Sequence, residues 1–171
     1  RQKSRFVDGA EKNGFSSEKS GEIFDLMAYF AGYGFNKSHS AAYGMISYQT
    51  AFLKARHRAE FMAALMTNEA GNSDKILMYI ADCQKARLTI LPPDVNQSFL
   101  AFDVPADDRR KIRFGLCAVK GVGSKAAESI VQTRLADGPY ESFIDCLERI
   151  DYQTVNKKVL ENLIKCGAFD W

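Results

Sequence analysis

The sequence has few of the residues from which catalytic and metal sites are usually built. It holds two histidines and four cysteines in 171 residues. The cysteines stand far apart, with no C-x-x-C pair and no histidine pair nearby, so a zinc site is not expected. We interpret them as free, buried thiols of a protein in the reducing cytoplasm. They are Cys83, Cys117, Cys146 and Cys166.

Strong net charge and long apolar runs are also missing. The net charge is +2 and the isoelectric point is about 8.3, so a surface that binds nucleic acid would have to be local. No apolar run approaches the roughly 20 residues that span a bilayer, and we expect no membrane partner. Hydrophobic residues make up 46% of the chain, which is ordinary for a soluble globular protein with a core.

The acidic residues are not grouped as a metal-dependent active site requires. Catalysis by two metal ions needs carboxylates gathered on one rigid element. The aspartates are instead scattered over predicted helices, a turn and a strand, at Asp25, Asp82, Asp94 and Asp103. No Ser-His-Asp arrangement and no P-loop is present. We therefore predict no catalytic residue, no bound cofactor and no metal site in this chain.

Apolar spacing predicts a mainly α-helical chain with a small antiparallel β-element. Helical spacing covers most of the chain before residue 88, with a break near 57–58 where a second apolar stripe opens. Short strands are expected at 99–104 and 111–115, around a charged turn. The prolines within 92–98 exclude a helix, and we take that segment as the loosest linker. Further helices are predicted at 124–135, 143–150 and 155–166.

Residues 32–54 form the most distinctive stretch. Gly32 and Gly34 flank an aromatic residue and are expected to end a helix, after which polar residues stand where the next helix should begin. That helix has one apolar face. Its other face carries Tyr43, Ser47, Thr50 and Lys54. The polar face suits a polyanion or a nucleotide, and it suits plain solvent equally well.

A second stretch has the form of a helix-hairpin-helix. A short apolar helix leads into Gly121-Val122-Gly123, and Ser124 begins and caps the next helix. Glycines have no Cβ, so a phosphate can approach the backbone, and the helix N-terminus adds partial positive charge. Lys120 and Lys125 flank the turn and can each neutralise a phosphate. Such an arrangement grips a DNA backbone without reading bases, although a tight turn of purely structural origin is the alternative.

Both stretches closely resemble the bacterial replicative DNA polymerase III alpha subunits, the C-family DNA polymerases. The resemblance begins at 30–43 and continues in register at 47–50, 53–55, 59–64, 90–96, 114–123, 156–161 and 167–170. Its most specific phrase is Gly-Phe-Asn-Lys-Ser-His-Ser, which favours the replicative branch over an error-prone paralogue. Arg58 departs from the pattern, because the family commonly has proline there.

The resemblance implies a division of the chain into two parts. Residues 1–115, with the small β-element around 88–115, would be the C-terminal part of the polymerase fingers. Residues 116–171 would be a tandem helix-hairpin-helix module, with a degenerate second hairpin at 140–167. The catalytic aspartates and their magnesium would lie in a palm domain outside this chain. The peptide that binds the sliding clamp would lie in another region, also outside this chain.

Carried over by position, the resemblance assigns two sets of binding residues. The set at the nucleotide and template is Asn36, Lys37, Ser38, His39, Tyr43, Ser47 and Tyr48. The set at the DNA backbone is Lys120, Gly121, Val122, Gly123, Ser124 and Lys125. The implied partners are primer-template DNA, an incoming deoxynucleoside triphosphate (dNTP), the rest of the alpha subunit and the replication holoenzyme.

The resemblance implies that the intact subunit is a DNA-directed DNA polymerase, a nucleotidyltransferase of chromosomal replication. The chain begins at Arg1 without a methionine, and we expect it to be a fragment that is inactive alone. Two alternatives stay open, a stand-alone non-catalytic helix-hairpin-helix DNA-binding protein and a helical protein-interaction module. A salt titration distinguishes these alternatives. The logarithm of the affinity for DNA should fall linearly with the logarithm of the salt concentration, whereas docking of an apolar surface should barely respond to salt.

Overall fold

The structure, a computed structural model, describes residues 2–33 and 36–171, apart from the Tyr33 side chain. Gly34 and Phe35 of the predicted turn lie outside the described residues. The helices are α1 (Gln2–Glu11), α2 (Ser17–Tyr33), α3 (Lys37–Arg56), α4 (Arg58–Asn68), α5 (Ser73–Lys85), α6 (Ser124–Asp137), α7 (Phe143–Arg149) and α8 (Lys157–Lys165). The strands are β1 (Thr89–Leu91) and β2 (Lys111–Arg113), and a 3-10 helix spans Leu116–Ala118. The prediction of a mainly helical chain is confirmed.

The chain divides into two compact units, residues 1–50 and residues 51–171. In the first unit α1 packs on α2, where the ring centroids of Phe6 and Phe24 are 5.6 Å apart. The buried hydrophobic side chains of the described residues all belong to the second unit. The core of the protein therefore lies beyond residue 50. The predicted division at residue 115 separates two functional parts, the fingers and the hairpin module, and not two compact units. It stays a prediction.

The core of the second unit has two parts. One part lies under α4, α5 and the strands, and it is built around Met62, Met66 and Ile112. The other joins α6, α7 and α8, and its fully buried members include Ile130 and Leu163. The three C-terminal helices begin and end close to the predicted bounds because their apolar spacing is a local signal.

The two strands are parallel, so the predicted antiparallel arrangement is wrong. β1 lies beside β2 with Ile90 opposite Ile112. The segment 99–104 forms only one antiparallel bridge, from Asp103 to Arg113. Its first residues are engaged elsewhere, since their carbonyl groups accept hydrogen bonds from the 3-10 helix, from Leu116 N to Phe99 O (2.9 Å) and from Cys117 N to Leu100 O (3.1 Å).

Residues 92–98 are anchored to the core through Val95 and are not a loose linker. Val95 is fully buried, and its N–H donates to Ala168 O at 3.0 Å. The Asn96 side chain makes two hydrogen bonds to the backbone of Tyr140, donating to its carbonyl at 2.9 Å and accepting from its N–H at 2.7 Å. The proline-rich segment thus joins the strand region to the C-terminal helices.

Candidate nucleic-acid interface

The first hairpin turns at Gly121, between the 3-10 helix and α6. The φ angle of Gly121 is +83°, in the left-handed region that favours glycine. A Cβ at this position would also collide with the side-chain amide of Asn162 on α8. Gly121 is therefore required by the backbone conformation of the turn, and the Asn162 side chain of α8 packs against it.

Gly123 has a different role, since nothing in the fold requires a glycine there. Its φ of −77° is open to any residue, and a Cβ at this position would have no atom within 4 Å. It is the N-cap of α6, so the predicted cap at Ser124 is wrong, and no side chain caps the helix. Within the described part of the chain, the N–H groups of 123–125 donate to no acceptor. The space beside Gly123 that a Cβ would fill is open.

Five of the six predicted backbone-binding residues are exposed, and Val122 is the exception. The Val122 side chain is 5% exposed and lies in the core. Its N–H already donates to Val119 O at 3.0 Å, so Val122 anchors the turn. The exposed five are Lys120, Gly121, Gly123, Ser124 and Lys125. Among the described residues neither lysine forms an ion pair.

The second hairpin, between α7 and α8, satisfies its own hydrogen-bonding groups. Asn156 caps α8, with Oδ1 accepting from Val159 N at 3.1 Å. In the connecting loop the Thr154 hydroxyl and the Gln153 N–H donate to Asp151 and lower its pKa. A phosphate at this turn would meet a filled cap and a carboxylate. The two hairpins share one core. They differ in that α6, after the first hairpin, has no side-chain cap, whereas α8, after the second, is capped by Asn156.

The two arginines of residues 116–171 stabilise the fold. Arg149 Nη1 lies 2.9 Å from Asp145 Oδ2, and the guanidinium carbon stands 4.5 Å from the centroid of the Tyr140 ring. The Glu141 N–H and Arg149 together lower the pKa of Asp145. Arg134 is buried and donates to backbone carbonyls of 95–98. Positive charge for a ligand must therefore come from the lysines.

The predicted nucleotide-binding residues run from the residue before α3 to just past the middle of that helix. Asn36 caps this helix, with Oδ1 accepting from Ser38 N at 2.9 Å. The His39 and Tyr43 rings are in contact, with centroids 4.3 Å apart. Tyr43 and Tyr48 are 59% and 66% exposed, so neither belongs to a core. Lys37 and Ser47 are exposed as well. The structure thus places the whole set at the surface.

The described residues offer no metal centre, because no three of their His, Cys, Asp and Glu side chains come close enough to share an ion. Nor is any described helix long and apolar enough to cross a membrane. The four cysteines are free. Burial raises the pKa of Cys83 and Cys146 to about 11, so both thiols stay protonated at neutral pH and are poor nucleophiles.

Residues 87–171 match the helix-hairpin-helix motif family. This match confirms the prediction that the chain contains a helix-hairpin-helix. The chain is also similar to the proteins named DNA polymerase III subunit alpha. It is 46% identical over 170 residues to that of Pseudomonas aeruginosa, 47% over 170 residues to that of Escherichia coli (strain K12) and 48% over 166 residues to that of Thermus aquaticus. These alignments cover 97–99% of the chain but only 13–14% of each relative. The chain thus spans a small part of the length of the relatives it matches.

Proposed function

We propose that this chain is part of a bacterial DNA polymerase III alpha subunit, where it positions DNA and nucleotide and leaves the chemistry to another region. The observation that carries the proposal is the open, uncapped N-terminus of α6 at Gly123, with a lysine on either side. The similarity to alpha subunits over 99% of the chain supports it. In this proposal residues 1–115 are the C-terminal part of the fingers, and residues 116–171 are the tandem hairpin module.

The first hairpin would hold a phosphate of the duplex backbone. Phosphate oxygens accept from the N–H groups of 123–125, which have no other acceptor among the described residues. The absence of a Cβ at Gly123 lets the phosphate reach them, and the helix N-terminus favours its negative charge. Lys120 and Lys125 add neutralising charge. None of these groups reads a base edge, so binding is independent of sequence.

The N-terminal half of α3 would lie at the nucleotide and template. Asn36 fixes the start of the helix, and Lys37 follows as its first residue. An exposed ammonium group at this position can pair with a phosphate, and the Tyr43 and Tyr48 rings can contact a base or sugar. Holding the reactants in place lowers the barrier through proximity and orientation.

The nucleotidyl transfer itself would take place on carboxylates outside this chain. In the described residues the acidic side chains do not fit a two-metal centre, because they are not gathered at one point. A magnesium-dependent palm would activate the primer 3′-hydroxyl there. The expected partners are primer-template DNA, a dNTP, the rest of the alpha subunit and a cytoplasmic replication holoenzyme that includes the sliding clamp.

Replacing Gly123 with leucine is expected to weaken binding to duplex DNA about tenfold, because the leucine side chain keeps the phosphate away from the N–H groups. The loss of one charge-assisted hydrogen bond lowers affinity by about this factor. The loss should be equal for duplexes of unrelated sequence. Fluorescence anisotropy at fixed salt measures it. Gly71→Leu is the matched control, since a Cβ at Gly71 also meets open space. Unchanged affinity in a folded Gly123→Leu protein would contradict the role of the hairpin.

Replacing Lys37 with alanine in the complete alpha subunit is expected to lower kcat/KM for the incoming nucleotide about tenfold and to leave duplex affinity unchanged. The reason is that Lys37 pairs with the nucleotide or template and not with the duplex held by the hairpin. Single-turnover primer extension measures the change. Lys12→Ala, just after α1, removes the same charge elsewhere. Normal incorporation by the Lys37 variant would contradict the assignment.

The isolated 171-residue chain is expected to bind duplex DNA and to extend no primer in the presence of magnesium, because its described carboxylates form no metal centre. Denaturing gel electrophoresis of a labelled primer checks this. The slope of binding against salt, measured on the same preparation, tests for phosphate contacts. Extension by the pure chain would overturn the proposed separation of positioning from chemistry.

A further inference from the structure

A group of cations surrounds a surface pocket where the ends of α3, α4 and α5 meet. The pocket has a volume of about 310 Å³ and lies within the second compact unit. Lys54 reaches it from the last turn of α3, Arg58 from the first residue of α4 and Lys85 from the last residue of α5. Its other lining residues are Met62, Asp82 and Ala86.

The positive charge of this pocket is not balanced. Asp82 is the single carboxylate of the lining, and it pairs with Lys54 at 3.0 Å. Arg58 donates from Nε to Lys54 O at 3.3 Å, and its two Nη groups have no acceptor among the described residues. Lys85 has no ion-pair partner in the same part of the chain. The hydrogen bond and charge of Lys54, with the charges of Lys85 and Arg58, lower the pKa of Asp82. The three cations line the same pocket as this carboxylate.

Arg87, next to the pocket residue Ala86, adds a second observation. Its φ of 60° makes it the one non-glycine residue of the described chain in the left-handed region. It follows α5 at the position where glycine commonly ends a helix, with its N–H donating to Gln84 O and the Leu88 N–H donating to Cys83 O. An exposed arginine is strained there, and a glycine would not be. Backbone strain of this kind is common at functional positions.

We propose that Lys54, Arg58 and Lys85, together with Arg87, bind a backbone phosphate of a nucleic-acid strand. A guanidinium beside an ammonium matches phosphate geometry and charge, and the pocket is open to solvent. This site is separate from the hairpin, and it adds a local basic surface to a chain whose overall net charge is only +2. The choice of a nucleic acid over an acidic protein rests on the proposed function.

The test compares the full chain with three variants by anisotropy, using a labelled single strand and its duplex over a range of salt. The double variant Arg58→Gln/Lys85→Gln should reduce the log–log salt slope for the single strand by about 0.7, the contribution of the one phosphate that is no longer neutralised. Arg87→Gly should reduce the slope while keeping or raising the thermal midpoint. Lys75→Gln, at the other end of α5, should leave the slope unchanged. A double variant with the wild-type slope would overturn the proposal.

The hairpin variant Gly123→Leu, measured in parallel, separates this site from the proposed function. Weaker duplex binding by Gly123→Leu with no effect of the double variant would overturn the inference and leave the hairpin intact. The reverse result would support the inference and contradict the hairpin. Displacement of DNA by polyglutamate as readily as by polyphosphate would mean that the pocket binds negative charge of any kind, and this would overturn the assignment to phosphate.

Discussion

Replacing Gly115 with alanine is expected to lower the free energy of unfolding by about 3 kcal/mol, because the new Cβ would collide with backbone and not with a movable side chain. It would stand 2.7 Å from both Ala101 O and Leu100 O. The hydrogen bonds from the 3-10 helix to Phe99 and Leu100 hold the two segments together at this point. Relief of the collision would require breaking them.

Urea unfolding followed by far-UV circular dichroism measures the effect of Gly115→Ala, and Gly71→Ala serves as the control because its Cβ meets open space. The control should change the unfolding free energy by less than about 0.5 kcal/mol. Since the 3-10 helix begins at Leu116 and leads into the hairpin, duplex binding should fall together with the folded fraction. A Gly115→Ala protein as stable as the control would contradict this prediction, because it would mean that the backbone of 99–101 can move away from the new Cβ at little cost in free energy.

The helices and the hairpin could be predicted from sequence because their signals are local. Gly121, in the predicted hairpin turn, adopts the left-handed conformation with a φ of +83°. The break between α3 and α4 falls at His57, where the apolar stripe changes. In each case the deciding residues lie within one or two turns of the feature they specify.

Strand pairing and the buried loop could not be predicted, because they depend on residues far apart in the chain. The sequence predicts a strand at 99–104, but the carbonyl groups of Phe99 and Leu100 accept hydrogen bonds from the 3-10 helix instead. The prolines correctly excluded a helix at 92–98. No local pattern, however, shows that Asn96 will bond to Tyr140, 44 residues later.

The candidate site shows the same division between local and distant information. The exposure of Lys120, Gly123 and Lys125 follows from the hairpin pattern. That the Asn162 side chain of α8 packs against Gly121 depends on how the two hairpins pack. The cationic pocket was missed in the sequence, although basic residues in the last turns of α3 and α5 and Arg58 at the start of α4 were a visible signal.

Replacing Arg134 with methionine is expected to lower the free energy of unfolding by about 2–3 kcal/mol, because two buried carbonyl groups lose their donor. Arg134 is 6% exposed, and Nη1 donates to Val95 O at 2.7 Å and to Ser98 O at 2.9 Å. Its guanidinium also lies 5.2 Å from the centroid of the Phe99 ring. Burial lowers the pKa of Arg134, but the group remains charged at neutral pH. Methionine keeps most of the apolar packing, so the loss reports mainly on the hydrogen bonds.

Arg134→Lys is the informative companion, since it keeps the positive charge and can reach one carbonyl with a single ammonium group. Its stability should fall between those of the wild type and Arg134→Met in urea unfolding. Arg134 lies in the last turn of α6, and the candidate phosphate donors lie in the first turn. Under conditions where both proteins are folded, Arg134→Met should therefore bind duplex DNA with wild-type affinity. A weakened affinity in the folded variant would mean that the 95–98 loop controls the hairpin, because the hydrogen bonds of Arg134 lead to that loop and not to the N-terminus of α6.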